Sequence, residues 1–222
     1  MVAGLGLGVF GAAIATLIAQ GISAVFSFLI FLSRMRQYKS SFSRFDRQEL
    51  YSMLRIAVPS VLQQSTVSIG MMIVQAVVNP FGTQALAGYA ATMRVENVFS
   101  LIFVSIGNAV SPYVSQNLGA KKYQRIRKGV HSGTYMALLT AVVISGVMVL
   151  FGRNILSLFV SGEPEQIRQV LDIAYKYLFI MAIFLWVLYL LYVYRSAIQG
   201  LGNTLIPLAS GIAEFVMRVS VA

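Results

Sequence analysis

The 222-residue sequence contains no cysteine, a single histidine and only seven acidic residues. The absence of cysteine excludes a disulfide framework and metal sites built from thiolates. His131 lies beside a basic segment and has no second histidine with which to share a metal or a catalytic role. No nucleophile–base pair, metal-ligand cluster or phosphate-binding glycine loop occurs along the sequence. We therefore expect neither an enzyme nor a bound cofactor.

Charged residues are also scarce, and they are unevenly distributed. They make up 11% of the sequence, against about 25% in soluble domains, whereas 58% is hydrophobic. Eleven of the seventeen Lys and Arg residues fall in two segments, the first basic cluster (34–55) and the second basic cluster (121–128). Because Lys and Arg flank membrane helices on the cytoplasmic side, this pattern predicts an integral membrane protein. The clusters adjoin apolar segments and lack any nucleic-acid module, so the net charge of +10 does not indicate a nucleic-acid partner.

Apolar segments of about 20 residues, the length that crosses a bilayer, recur along the chain. Five full spans are followed by a sixth that is still apolar at the last residue: 9–32, 56–78, 90–116, 133–152, 174–194 and 205–222. The predicted fold class is an all-α integral membrane protein, a polytopic helix bundle of five full spans and a truncated sixth. With both basic clusters in the cytoplasm, the first span would begin outside without a signal peptide. We therefore expect the chain to be part of a longer protein.

The first basic cluster is predicted to contain a short helix at the cytoplasmic membrane interface. Asp46 followed by Glu49 fits a capping pattern at a helix start, and apolar residues then recur at helical spacing. Phe42 and Phe45 would dip into the membrane, and Pro59 would bend the chain into the second span. A solvated loop is the alternative.

Polar side chains inside the spans are costly in hydrocarbon unless they face protein or water, so they mark function or helix packing. On the second span, four residues at spacings of four, three and four share one helix face: Gln64, Ser68, Met71 and Gln75. On the third span, a comparable stripe is made by Glu96, Ser100, Gly107, Ser111 and Ser115, with Asn108 beside it.

Two polar faces on consecutive antiparallel helices predict a shared, water-accessible cavity. Close packing of the helices through small residues is the alternative. We favour packing for the serines and glycines, and a cavity for Gln64, Gln75 and Glu96. The candidates for lining a substrate cavity on these two spans are Gln64, Ser68, Met71, Gln75, Ser100 and Asn108.

Glu96 is the only acidic residue well inside a complete span, and it is the candidate for ion coupling. Desolvation disfavours the charged form of a carboxylate, which suits a proton carrier. Arg94 could instead hold Glu96 in a structural ion pair. Glu214 and Arg218, one turn apart in the sixth span, pose the same choice, and we interpret them as a structural pair.

Aromatic residues are concentrated in the fifth span. Aromatic faces can bind flat organic cations, although aromatic side chains in membranes more often fill helix contacts or interfacial belts. Trp186 and Tyr189 are the aromatic candidates for a substrate cavity.

Four segments resemble motifs of the multidrug and toxic compound extrusion (MATE) family, in that family's order and spacing. They are GLGVFGAAIAT (6–16), VVNPFGTQALAGYA (77–90), VSQNLGAKK (114–122) and YRSAIQGLGNTLIPLASGIAEFVMR (194–218). The resemblance implies that the chain covers the end of helix 5 to part of helix 11 of a twelve-helix, two-lobe transporter. Residues 1–33 would be the last helix of the N-terminal lobe, 34–55 a cytoplasmic inter-lobe linker, and 56–222 a truncated C-terminal lobe.

The resemblance also implies a function. Members of the family are secondary antiporters that export drugs and organic cations in exchange for protons or sodium ions, by alternating access. We expect a multi-pass protein of the bacterial cytoplasmic membrane, with small cationic amphipathic substrates, the lipid bilayer and a missing N-terminal lobe as its partners. One departure concerns coupling: some members bind the coupling cation through a glutamate and an aspartate, whose positions are occupied here by Val67 and Leu188. Coupling would then use carboxylates of the missing lobe or Glu96.

Two other functional classes stay open. A related flippase for lipid-linked saccharides would be expected to have a more basic central cavity, whereas the polar faces here hold amides and one carboxylate. A non-transporting membrane scaffold would use the Gln64–Ser68–Gln75 stripe only for packing.

Overall fold

The computed structural model describes residues 8–37, 45–160 and 164–221, and these form an all-helical chain. The helices are α1 (Gly8–Met35), α2 (Arg47–Val78), α3 (Thr83–Gly119), α4 (Tyr123–Ser157), α5 (Pro164–Gly200) and α6 (Leu205–Val221). Helices α1 to α5 are each long and apolar enough to cross a membrane, and α6 is shorter, with 17 residues. The predicted helix bundle of five full spans and a shorter sixth is confirmed.

The chain divides into two compact units, Met1–Arg47 and Gln48–Ala222. The first unit contains α1, in which the Thr16 hydroxyl donates a hydrogen bond to the Ala12 carbonyl one turn earlier (2.9 Å). The second unit contains α2 to α6 and holds all the residues considered below.

Helices of the second unit extend well beyond the apolar runs that predicted them. Helix α4 has 35 residues and begins at Tyr123, inside the second basic cluster, ten residues before the apolar run starts. The backbone hydrogen bonds of a helix do not depend on apolar side chains, and Lys, Arg and Gln are good helix formers, so a helix continues through polar residues. Hydropathy therefore locates the middle of each helix and misses its ends.

The structure has one continuous helix, α2, where a short interfacial helix and a separate span were predicted. Pro59 lies inside α2. Its ring nitrogen cannot donate to the Arg55 carbonyl four residues earlier, and the Thr204 hydroxyl, from the turn before α6, lies 3.5 Å from that carbonyl and donates to it. Replacement of the lost partner helps the helix to continue through the proline. Phe42 lies outside the described residues, as do Lys39 and Arg44 of the first basic cluster.

Helices α3, α4 and α5 pack together and form the hydrophobic core of the second unit. Small side chains such as Ala137 and Ala174 are fully buried where the helices meet. Gly200 brings α5 against α3 so closely that a Cβ atom there would lie 2.5 Å from the Ser111 carbonyl oxygen. Gly107 is buried against Ser196 in the same way. The packing interpretation of the third-span stripe is confirmed at Gly107 and Ser111.

The turn between α5 and α6 accounts for the GLGNT motif. Gly202 adopts a φ of +83°, in the left-handed region that glycine enters without strain. The side-chain oxygen of Asn203 then accepts hydrogen bonds from the backbone N–H groups of Leu205 and Ile206 at 3.1 and 3.3 Å. This cap satisfies two of the free donors at the start of α6 and fixes where the helix begins.

Two glycines bring α6 against α2. A Cβ atom at Gly211 would lie 2.9 Å from the side chain of Gln63, and one at Gly70 would lie 3.3 Å from the ring of Phe215. This close approach places the charged residues of α6 beside Met71 of α2.

Candidate functional site

A cavity of about 360 Å³ lies among α2, α3, α5 and α6. Three charged residues, Glu96, Glu214 and Arg218, line it, together with Tyr177 and otherwise apolar side chains. A mostly apolar wall with a few convergent polar groups is typical of sites that bind small molecules. We take this cavity as the candidate functional site.

Glu214 lies at the centre of an ion network. Its two carboxylate oxygens accept from different arginines: Oε1 from Arg218, with the guanidinium Nη2 at 2.7 Å, and Oε2 from Arg195, with Nη2 at 3.0 Å. Arg218 also donates to the sulfur of Met71 at 3.0 Å. The predicted structural pair of Glu214 and Arg218 is confirmed, but the network contains a second arginine that the sequence analysis did not single out.

Arg195 is the most buried charged residue among those described, with 7% of its surface exposed. Besides Glu214 it contacts the Ser210 hydroxyl, which accepts from its Nε and Nη2 at 3.1 and 2.8 Å. A buried guanidinium is tolerated only when it is paired and hydrogen-bonded, as it is here. Arg195 lies one residue beyond the predicted fifth span (174–194), so the criterion that singled out Glu96, a charge within an apolar span, did not select it.

Glu96 differs from Glu214 in its surroundings. Within the described ranges, no hydrogen bond or ion pair holds its carboxylate, although it lines the same cavity as Arg218. Arg94 has an exposed side chain and forms no ion pair with Glu96. The expected alternative of an Arg94–Glu96 pair is therefore wrong, because the two side chains leave α3 in different directions.

The other predicted candidates on α2 and α3 are mostly outside the cavity lining. Met71 lines it beside Glu96. Gln64, Ser68 and Gln75 are exposed in the second unit, and the Ser68 hydroxyl donates to the Gln64 carbonyl at 3.0 Å.

Ser100 and Asn108 of α3 likewise lie apart from the charged cluster. Ser100 is half-buried and donates to the Asn97 carbonyl at 2.8 Å, and Asn108 is exposed. The spacing of the candidate residues in the sequence places them on common helix faces. Which part of each face borders the cavity depends on where α6 packs, and the spacing does not reveal that.

The two aromatic candidates on α5 are placed differently from each other. Trp186 is 49% exposed on the surface of the second unit. Tyr189 is fully buried in the core, where its ring packs edge-on against Phe103 with centroids 5.1 Å apart. Tyr177, which the sequence analysis did not select, lines the cavity and stacks edge-on against Tyr89 at 5.9 Å.

The cavity bears on one point of the family resemblance. Leu188, at the position where some members have an aspartate, lines the cavity, so this chain has an apolar side chain there. Of the two polar stripes, Met71 and Glu96 line the cavity. Helix α6 adds Glu214 and Arg218, with Arg195 directly behind Glu214.

Polytopic helix bundles with polar cavities among their helices occur in membrane transporters. Residues 59–222 match the MatE family, and the chain belongs to that family. It is 28% identical over 183 residues to the probable multidrug resistance protein YoeA of Bacillus subtilis, covering 78% of this chain and 38% of that relative. It is 25% identical over 182 residues to the FAD transporter of Shewanella oneidensis, covering 78% of this chain and 40% of that protein.

A solved structure agrees with this assignment. The crystal structure of the Vibrio cholerae MATE transporter VcmN, in a mutant form, superposes with a TM-score of 0.81 at 25% identity. The match covers 95% of this chain and 47% of that one. The chain thus spans less than half the length of the relatives it matches.

Proposed function

We propose that the chain is part of a secondary active antiporter that exports drugs and organic cations in exchange for protons or sodium ions, and that its second unit belongs to one of the two lobes. The observation that carries this proposal is the unpaired carboxylate of Glu96 in a largely apolar cavity. Family membership supports efflux as the class of activity. A second lobe would complete the cavity and allow alternating access, and the bacterial cytoplasmic membrane is the proposed location.

In the proposed mechanism, the coupling ion and the substrate compete for Glu96. One negative charge in a low-dielectric cavity attracts a nearby cation strongly, but it neutralises only one cation at a time. Glu214 is less available for this role, because two arginines occupy its oxygens. Binding of a proton or sodium ion at Glu96 would release a cationic substrate, and loss of that ion would allow the next substrate to bind.

Anion transport is the second candidate function. It is favoured by Arg218 in the cavity wall, backed by Arg195, and by the likeness to the FAD transporter of Shewanella oneidensis. An anionic substrate would compete with Glu214 for the guanidinium of Arg218. A lipid-linked saccharide, which carries phosphate, belongs to the same class of anionic substrates.

The test is gradient-driven transport by the complete transporter in proteoliposomes. With an imposed proton or sodium gradient, we expect uptake of the fluorescent cation ethidium, and Glu96→Gln should reduce that uptake at least about tenfold, the rate effect of about 1.4 kcal/mol. Glu165→Gln, in the exposed first turn of α5, is the matched control and should transport normally.

Two results would contradict the leading proposal. Normal ethidium transport by Glu96→Gln would show that Glu96 does not couple ion binding to transport. If the transporter takes up flavin adenine dinucleotide but not ethidium, and Arg218→Gln abolishes that uptake, the second candidate function is established instead.

A further inference from the structure

A larger cavity, about 910 Å³, lies between α3 and α4, and none of the residues of the ion network line it. We call it the α3–α4 groove. Its walls are mostly apolar, with Leu101, Ile106 and Met136 among them. The family match and the proposed transport function assign no role to it.

The two ends of the groove differ in charge, and we call the end that holds Lys128, the charged residue of the lining, the polar end. Ser132 and Tyr113 lie beside Lys128, and the Tyr113 hydroxyl donates to the Arg125 carbonyl at 3.4 Å. Leu101, Ile102 and Thr140 lie at the other end, where the Thr140 hydroxyl donates to the Met136 carbonyl of its own helix at 2.7 Å. At the polar end, the Tyr113 ring lies directly against the backbone of Gly129, which has no side chain to hold the ring away. The groove therefore suits a ligand with a charged head and a long apolar tail.

The length of the groove matches one leaflet of a bilayer. Its lining runs over residues 101–113 of α3 and 128–140 of α4. Twelve residues of helix at 1.5 Å each span about 18 Å. Half of a bilayer's hydrocarbon core is about 15 Å thick. An acyl chain of one leaflet would fit alongside both helices.

The charge at the polar end indicates an anionic head. Lys128 belongs to the second basic cluster, whose five Lys and Arg residues are all exposed, and no ion pair holds any of them in the described part of the chain. The positive-inside rule places this cluster in the cytoplasm. The cytoplasmic leaflet has a negative surface potential because it contains anionic lipid, and each Lys or Arg near its surface favours such lipid.

We propose that the α3–α4 groove is a binding site for an anionic phospholipid of the cytoplasmic leaflet. The headgroup phosphate accepts hydrogen bonds from Lys128 and Ser132, and one acyl chain lies along the groove towards Leu101. This site is separate from the cavity that holds Glu96, and the proposal does not depend on the direction or substrate of transport.

Tryptophan quenching by brominated lipid tests the site. Trp186 is the only tryptophan in the sequence, so the variant Trp186→Phe with Met136→Trp places a single reporter in the middle of the groove. The protein is reconstituted in phosphatidylcholine vesicles containing either brominated phosphatidylglycerol or brominated phosphatidylcholine. We expect about fivefold stronger apparent binding of the brominated phosphatidylglycerol at the reporter, the effect of one lysine near a membrane surface.

Three controls define the outcome. Lys128→Gln should abolish the preference, whereas Lys121→Gln, in the same cluster but outside the groove lining, should reduce it by less than twofold. The unmodified chain, with Trp186 outside the groove, should show no preference of the same size. Equal quenching of the reporter by both lipids would overturn the proposal, because it would mean that the groove recognises no headgroup. Absence of quenching by either lipid would also overturn it, because a protein segment would then cover the groove.

A second measurement avoids the tryptophan substitutions. Native mass spectrometry of the otherwise unmodified chain, after detergent exchange, should detect retained phosphatidylglycerol, and Lys128→Gln should lose several-fold more of it than Lys121→Gln. Equal retention by the two variants would contradict the assigned position of the headgroup.

Discussion

The two carboxylates of the cavity among α2, α3, α5 and α6 differ in their ion-pair partners. Glu214 is held by Arg195 and Arg218, both of which it neutralises in part, whereas Glu96 has no such partner in the described part of the chain. The first carboxylate therefore suits a structural role and the second a binding role. This difference predicts that the two residues respond differently to substitution.

The ion network should contribute to stability through Glu214. Glu214→Ala leaves two arginines without their shared partner, and breaking a buried pair in this way costs about 3 kcal/mol. We expect the free energy of unfolding in detergent to fall by about that amount. Asp172→Ala is the matched control, because its pair with Arg153 has side chains that are 46% and 56% exposed, and it should cost less than about 1 kcal/mol. Equal losses in the two variants would contradict the structural role of Glu214.

At the residue scale, the sequence was enough to identify the charged residues of the cavity, but not all of their ion-pair partners. Glu96, Glu214 and Arg218 could all be selected as costly charges in apolar spans, and all three line the cavity. The partner of Glu214 across the α5–α6 turn could not be predicted, because Arg195 lies 19 residues away in sequence and only the turn geometry brings the two together.

At the scale of helices, small residues decide how closely the elements pack. Gly200 allows α5 to pack closely against α3, with the Ser111 carbonyl oxygen 2.5 Å and the Val114 Cβ 2.9 Å from the position a Cβ would take. Because the first neighbour is backbone, it cannot move away as a flexible side chain could.

Gly200→Ala should therefore destabilise the second unit. We expect a loss of about 1–3 kcal/mol, typical of overpacking. Gly146→Ala, in the interior of α4 with open space around it, is the control and should be neutral or gain up to about 1 kcal/mol, because alanine favours the helix. Thermal unfolding of the two variants in the same detergent measures the change in stability that each substitution causes. A stable Gly200→Ala protein would show that α3 and α5 are farther apart than described.

Hydropathy predicted each helix, but it predicted neither the helix ends nor the continuation of α2 through Pro59. The polar first turns of α4 have no apolar pattern to reveal them. Pro59 predicts a break when α2 is considered alone, and the Thr204 hydroxyl from the turn before α6 supplies the partner that a local pattern cannot contain. A tertiary contact therefore accounts for the continuity of α2, which no local pattern could predict.

At the scale of the whole molecule, the second unit combines a rigid α3–α4–α5 core with a charged cavity beside α6. The two polar stripes predicted a cavity, and the structure has one that includes Met71 and Glu96. It leaves Gln64, Ser68 and Gln75 exposed. In the proposed transporter, a second lobe would give that exposed face a neighbour.

The central claim is that the transported molecule binds in the cavity that holds Glu96. Because the sequence has no cysteine, Met71→Cys introduces the single thiol of this chain into the cavity lining, and Tyr123→Cys introduces one at an exposed position at the start of α4, outside both that lining and the apolar run. In the complete transporter, a water-soluble thiol reagent should label both variants, and a transported substrate such as ethidium should slow the labelling of Met71→Cys at least about fivefold while leaving that of Tyr123→Cys unaffected. Labelling of Met71→Cys at the same rate with and without substrate, in a variant that still transports, would contradict the claim.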